Sequence, residues 1–282
     1  MNFTNPVVSV VVPIYNAAPT LNETLQSICD QTAKNIEIVL LDNGSDDGST
    51  EIINSWAQQD NRIRVLRWES VIPAHENFTK AIESATGDFV KLICGDDLID
   101  STCISEQLEV MVSNPDISFC SVNRRIIDGG GKVILSRRGF RGRSGQIPRK
   151  TAIKRSLMGG GNLLEGTAAS LYRTSAAKAA LPFTDKYSYL IDLDFCIRAL
   201  DHGDFYHLDK VLASYRVRSD SESSTMVNVQ KSQLLNFVNE LKSNGTIELS
   251  PIQKMIFILN LSLQVLARRV IYFFLKNRSS SK

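Results

Sequence analysis

Runs of β-branched and aliphatic residues alternate with stretches whose apolar positions recur three and four apart, and this rhythm carries through the first hundred residues. Val7 to Val12 (VVSVVV) is almost unbroken in β-branched residues, the pattern of a parallel strand buried on both faces. Pro13 lacks a backbone donor and predicts the end of that strand at Val12, after which Leu21, Leu25 and Ile28 mark one face of a helix. Ile36 to Leu41 repeats the strand pattern, and the polar turn Asp42 to Ser49 leads into a helix capped by Ser49 or Thr50 and carrying Ile52, Ile53 and Trp56. Ile63 to Leu66 predicts a third strand, Asn77 to Ala85 a third helix and Phe89 to Ile93 a fourth strand. Strand and helix in this alternation predict an α/β domain with a mostly parallel central sheet, right-handed crossovers and helices on both faces.

Farther along, a helix is expected from Ser101 to about Ser113, a strand from Ile117 to Val122, and a hairpin from Arg124 to Ile134 around Asp128-Gly129-Gly130-Gly131. Gly159-Gly160-Gly161-Asn162 lacks the ending of a phosphate loop and the spacing of a dinucleotide fingerprint, and reads as a turn into a strand near Ala168 to Tyr172. A helix starting around Leu190 holds Asp192 and Asp194 in its first turn, where the helix dipole favours carboxylates. In the tail, Pro251 to Leu275, the residues Gln253, Asn260, Gln264 and Arg268 trace one polar stripe on an otherwise apolar helix. Such a helix must bury a wide face, against its own domain, in a homodimer, or in a membrane interface through 251–275.

Composition narrows the setting. The chain has 282 residues, 43% of them apolar, enough for a sizeable core, and a formal net charge of +2 that provides no global attraction for nucleic acid. Lys132 to Arg155 is a local exception, with nine Lys or Arg and no acidic residue. It reads either as a solvated loop or as a face for an anionic acceptor or lipid headgroups. Five cysteines without a C-x-x-C pair fit a reducing cytosol, and the first apolar run has no basic residue before it and ends at a proline, unlike a signal peptide. No segment reaches the eighteen or so apolar residues of a spanning helix. The expected location is the cytoplasm, either free or peripheral on the inner face of the cytoplasmic membrane.

Ligands of parallel α/β sheets sit off the carboxyl ends of the strands, where the turns at Pro13, Asp42 and Asp96 all fall. The stretch Phe89 to Asp97 (FVKLICGDD) passes abruptly from an apolar strand to a glycine and two carboxylates. Adjacent carboxylates are costly without a positive partner, and a divalent cation sharing its shell with substrate phosphates would supply one. A solvated loop or a helix N-cap is the plainer alternative. The three histidines, His75, His202 and His207, show no metal spacing.

The series VSVVVPIYN, EIVLLDNGSDDGST and ATGDFVKLICGDD resembles the N-terminal half of the family 2 glycosyltransferases, which have the Rossmann-like GT-A fold, over roughly the first 100 residues. The resemblance implies a nucleotide-sugar donor, a divalent metal (Mn2+ or Mg2+) and transfer with inversion to a hydroxyl of a glycan or lipid-linked acceptor, as in cell-surface polysaccharide synthesis. On it, Pro13 and Tyr15 would line the base pocket, and Asp42 would accept a hydrogen bond from uracil; an ionised carboxylate, being acceptor-only, suits that edge. The family's Asp-x-Asp metal motif appears here with Cys94 at its first position. Asp96 therefore falls on the metal-ligand position, with Asp97 assisting or capping a following helix, and Asn77 would help hold the donor loop. Leu190 to Arg198 resembles the family's Glu-Asp motif, with Ile191 for the glutamate and Asp192, ahead of Asp194, as general base. Tyr215-Arg216-Val217-Arg218 resembles a Tyr-Arg-x-His loop, with Arg218 directed at the diphosphate. Residues 1–100 would then form the donor half, 101–225 the acceptor half and 226–282 a C-terminal helical extension. Two other readings stand beside this one. A sugar-nucleotide pyrophosphorylase would need a glycine-rich, Arg-containing loop where this chain has PIYNAA. A non-catalytic nucleotide-sugar binder is allowed by Cys94, Ile191 and Arg218.

Overall fold

The first strand, β1 (Val8–Ile14), is buried along its whole length, flanked by β2 (Ile36–Asp42) on one side and β4 (Phe89–Leu92) on the other, both parallel to it. Val8, Val10, Val11 and Val12 have no exposed surface, and each such side chain contributes up to about 1.5–3 kcal/mol by leaving water. β1 continues two residues past the expected end at Val12, through Pro13 to Ile14. Val11 O accepts from Ile93 N at 3.0 Å and Ile14 O accepts from Asn43 N at 2.8 Å, so Pro13, two residues on from Val11, turns its missing N–H toward the side where β4 has ended. No ladder bond is lost there.

The computed structural model describes residues 7–140, 142–217 and 229–279, with side chains described as far as 267. Among these residues the strands form one sheet in the order β3-β2-β1-β4-β9-β6-β10-β5, where β3 is Ile63–Arg67, β5 Leu98–Ile99, β6 Ile117–Ile127, β9 Ser170–Arg173 and β10 Asp204–Arg216. β7 (Val133–Arg138) pairs with β6 and β8 (Gly145–Ile147) with β10. β3, β2, β1 and β4 run parallel. β9 is antiparallel to both β4 and β6, which brings β6 and β10 back into the first direction. One sheet thus runs unbroken through both expected halves. The strand and hairpin expected separately at 117–122 and 124–134 are a single long strand, β6, folding back into β7. Residues 98–99 form β5 on β10, where a helix capped by Asp97 was one expectation.

Alternate strand residues feed two cores. α1 (Ala18–Cys29), α2 (Ser49–Gln59) and α4 (Cys103–Ser113) cover one face, packing Leu21, Leu25, Ile53, Ile104 and Met111 on Val10, Val12, Ile38 and Leu40. The opposite face is covered by α3 (Ala74–Glu83), α5 (Arg149–Met158), α6 (Thr174–Ala179), α7 (Ile191–Ala199), α8 (Gln230–Ser243) and α9 (Pro251–Ser279). Phe237 of α8 and Phe257 of α9 join the same cluster as Phe119, Tyr172 and Phe195, so the C-terminal helices share the main core. None of the described helices is long and apolar enough to cross a membrane.

Candidate active site

The turns after β1, β2 and β4 lock together at the carboxyl edge of the sheet. Ser45 Oγ accepts from Asn16 N at 3.1 Å, Ser49 Oγ accepts from Ala17 N at 2.9 Å, and Thr20 Oγ1 donates to Gly95 O at 3.0 Å. These bonds leave the Tyr15 ring 53% exposed at the rim, while Pro13 is buried within β1. Asp42 is 1% exposed: Oδ1 accepts from Ser45 N at 3.0 Å, Oδ2 accepts from Thr50 Oγ1 at 2.7 Å, and Arg67 Nε lies at 3.6 Å. The neighbouring Asn43 clamps the loop ahead of α3, donating to Ile72 O at 2.9 Å and accepting from Ile72 N at 3.0 Å. Asn77, on α3, holds the start of the same loop as acceptor for Trp68 Nε1 at 3.0 Å. Asn43 and Asn77 thus fasten the two ends of the loop between β3 and α3, and the part of Asn43 is hidden in the sequence because its residue type is ordinary in a polar turn.

Of the paired carboxylates, Asp96 is half-buried and Asp97 is buried, its Oδ1 accepting from Arg216 N at 3.2 Å. Burial, and next the Asp96 charge, push the Asp97 carboxyl well above the ordinary range, against the opposing pull of Arg124 and Arg216. The Arg216 guanidinium, itself buried, ties this loop to the β6–β7 turn and to α1. Nε donates to Asp96 O at 2.9 Å, Nη1 to Gly129 O at 3.0 Å and Nη2 to Glu23 Oε2 at 2.6 Å. Sequence reasoning singled out Arg218 in this motif, and Arg218 lies outside the described residues.

Asp192 stands in the first turn of α7, where the sequence pattern had put it. Its Oδ2 accepts from Asn162 Nδ2 at 3.0 Å and its Oδ1 from Leu193 N at 2.9 Å. A Cβ on Gly166 would come within 2.9 Å of Asp192 Cβ, so glycine lets this loop press against the aspartate. Asp194 is committed to Arg198 at 2.9 Å, an i,i+4 ion pair, which separates the two candidates for general base. Beside them Glu165, fully buried with φ at 64°, pairs with Arg124 of β6. The Arg124 guanidinium lies 4.8 Å over the Tyr215 ring and within electrostatic reach of Glu165, Asp192 and Asp97. Burial works against its charge, but these neighbours hold its pKa above the ordinary value. One cation is thus shared by the Asp96-Asp97 loop and by Asp192. Two adjacent arginines in a strand carry no motif, and nothing in the sequence separates Arg124 from Arg125, which pairs with Asp100 instead.

The sequence pattern of Glycosyl transferase family 2 matches residues 9–179. The chain belongs to this family. GlyG, a glycosyltransferase of Streptococcus pneumoniae, is 40% identical over 109 residues, covering 39% of this chain and 36% of GlyG. The matched stretch thus spans little more than a third of that relative. Among solved structures, Staphylococcus aureus TarS 1-349 with UDP-GlcNAc superposes with a TM-score of 0.63 at 18% identity, covering 90% of this chain and 71% of that one. The mannosyltransferase PcManGT of Pyrobaculum calidifontis, with GDP-Man and Mn2+, gives 0.60 at 15% identity, covering 95% and 74%. The fold is the GT-A fold expected from the motifs, with two C-terminal helices added.

The family implies a divalent metal, and the residues here suit one. Among the described residues no cluster of three or more His, Cys, Asp and Glu side chains could enclose an ion. A magnesium or manganese site that shares its shell with a diphosphate needs only one or two carboxylates. Burial first and the Asp96 charge second disfavour an ionised Asp97, and a cation beside the pair would relieve both. Asp96, the more exposed of the two, would hold it.

Proposed function

We propose that this family 2 chain transfers a sugar from a nucleotide diphosphate, with uridine as the nucleoside, to an acceptor hydroxyl with inversion at the anomeric carbon. The observation that carries the reading is the run of contacts from the Asp96-Asp97 loop to Asp192: Asp97 accepts from Arg216 N, Arg124 lies over the ring of the adjacent Tyr215 and pairs with Glu165, and Asn162 joins Glu165 to Asp192. The Tyr15 ring, exposed at the strand edge, offers a face for the base. Asp42, pinned by Ser45 and Thr50, offers a fixed acceptor edge that suits uracil. Asp96 and Asp97 would hold a divalent ion, which when bound neutralises the charge of the departing diphosphate. Asp192 takes the proton of the acceptor hydroxyl as that oxygen bonds to the anomeric carbon and the bond to the diphosphate oxygen breaks. Asn162 holds Asp192 in place for that transfer. The complexes of TarS with UDP-GlcNAc and of PcManGT with GDP-Man and Mn2+ support a donor and metal of these kinds. A glycan or lipid-linked acceptor and a role in cell-surface polysaccharide synthesis complete the reading.

The test is thermal denaturation with UDP, GDP and Mn2+. UDP with Mn2+ should raise the melting temperature more than either alone, and Asp96→Asn should remove the metal-dependent part. Absence of any response to UDP with Mn2+ in the unmodified chain would overturn the donor reading.

A further inference from the structure

A cleft of about 1110 Å3 opens between β7, the end of α5 and α9, on the sheet face that α7 also covers. Arg137, Arg138, Lys154 and Arg155 line it, and among the described lining residues none is acidic. Arg137 also meets Asp209, which stands outside the lining. The rest of the wall is largely apolar, with the Arg155 guanidinium lying 4.6 Å over the Phe140 ring. A concave site with four cations and an apolar floor suits a compact anion attached to a hydrocarbon.

The helix beside it is apolar on two faces, with Phe257, Leu261 and Val265 packed in the core and a second set turned to solvent across the polar stripe. Asn260 Nδ2 donates inward to Met158 O at 2.8 Å, and Gln264 bonds inward to Gly159 O. Ile252, Met255, Leu259, Leu263 and Leu266 face outward and are 56–67% exposed. Five large apolar side chains on one helix face form a contiguous surface that ordinarily has an occupant.

The cleft also communicates with the candidate base. Arg138 Nη2 donates to Gln264 Oε1 at 3.2 Å in the cleft wall, and the same guanidinium lies within electrostatic reach of Glu165 and Asp192. Gly161 packs beside both Arg138 and Gln264, and the next residue, Asn162, holds Asp192. An anion at Arg138 would therefore have its substituents within a short span of Asp192.

We propose that this cleft binds the phosphate or diphosphate of a lipid-linked acceptor at Arg138, Lys154 and Arg155, with the hydrocarbon lying along the exposed face of α9. The assignment deepens the transferase reading and rests on it for the role of Asp192, whereas binding of the lipid phosphate does not require it.

Isothermal titration with three probes, farnesyl diphosphate, inorganic pyrophosphate and farnesol, tests the cleft. Farnesyl diphosphate should bind saturably and at least tenfold more tightly than pyrophosphate. Binding should weaken at least tenfold in Lys154→Ala/Arg155→Ala and in Leu259→Glu/Leu263→Glu. The response of each variant to UDP with Mn2+, by thermal denaturation, should be unchanged, showing that the variants fold. Equal affinity for pyrophosphate and farnesyl diphosphate would reduce the site to a free-anion site and overturn the lipid assignment. Unchanged affinity in Lys154→Ala/Arg155→Ala would overturn the location. A dimer in light scattering that Leu259→Glu/Leu263→Glu dissociates, without farnesyl diphosphate binding, would assign the apolar face to a second copy and overturn the proposal. Farnesyl diphosphate binding in a chain that ignores UDP would support the cleft while removing the donor reading.

Discussion

Asn162 bridges Asp192 and the backbone of Glu165: its Nδ2 donates to Asp192 Oδ2 at 3.0 Å while its Oδ1 accepts from Glu165 N at 3.2 Å. The loop with positive φ at Glu165 and Thr167 is thereby fastened to the first turn of α7, and the proposed base is held in one rotamer. Replacing Asn162 by Ala removes one hydrogen bond to a charged group. Such a bond contributes about 1.5–3 kcal/mol, so transfer should fall roughly 10- to 100-fold in kcat with KM for the donor little changed. Steady-state kinetics would contradict this positioning role if KM rose and kcat held.

Arg216 is expected to matter for stability as much as for the site. Its loss leaves Asp96 O, Gly129 O and Glu23 without their shared partner and buried Asp97 without one of its two opposing cations. Glu23 is itself exposed and the other acceptors are neutral carbonyls, so losing these three bonds costs about 2–4 kcal/mol, and Arg216→Ala should lower the melting temperature by roughly 4–12 °C. Calorimetry of the Arg216→Ala chain checks this, and a shift below about 2 °C would mean that the Asp96 loop, the Gly129 turn and α1 hold together without it.

Protonation of His207 opposes folding. Burial, with Arg137 and then Arg155 adding to it, pushes its pKa down to about 4, although Asp209 stands 3.4 Å from Nε2. Because the folded pKa lies below the unfolded value of 6.5, the unfolded chain binds the extra proton between these limits. Stability should be complete above about pH 6.5 and decline as pH falls toward 4, by on the order of 2 kcal/mol after solvent screening. Urea midpoints measured across this window should flatten in His207→Gln; an equal slope in both chains would assign the acid sensitivity elsewhere.

Gly160 is where α9 is seated. At φ of 80°, a Cβ there would lie 2.8 Å from Asn260 C and Leu261 N, so any side chain meets both backbone strain and the helix itself. Gly160→Val should release α9 from the fold, seen as faster cleavage within 251–267 in limited proteolysis. An unchanged cleavage pattern would show that the glycine is not what admits the helix.

β1 and β2 were legible because strands buried on both faces are written as nearly unbroken aliphatic runs, each ending in a turn of distinctive chemistry; β4 keeps that pattern despite its buried Lys91, and β3 shows it as a short half-exposed alternation. The placement of Asp42 and Asp96 at the strand edge follows from the same runs, and that of Asp192 on the first turn of α7 from the helical pattern that starts around Leu190. What lay hidden are contacts between distant positions. Arg216 reaches Glu23 across 193 residues, and Arg124 collects Glu165, Asp97 and Asp192 from three segments. No local pattern encodes either. The polar stripe of α9 was visible as a period, but its direction was not, because the carbonyl acceptors that draw Asn260 and Gln264 inward belong to Met158 and Gly159. Pro13 misled for a local reason: only the length of β4 decides whether its absent N–H is missed.

The most direct test of the central claim is to compare Asp192→Asn with the unmodified chain in UDP titration calorimetry with Mn2+ and in turnover of a panel of UDP-sugars. Asn preserves the size of the side chain and its contact with Gly166 while removing the proton acceptor. UDP affinity should stay within about twofold while turnover falls by at least roughly 100-fold, the range ascribed to a positioned general base. Turnover within tenfold of the unmodified chain, or a parallel loss of UDP binding, would contradict the assignment of Asp192 as the group that takes the acceptor proton.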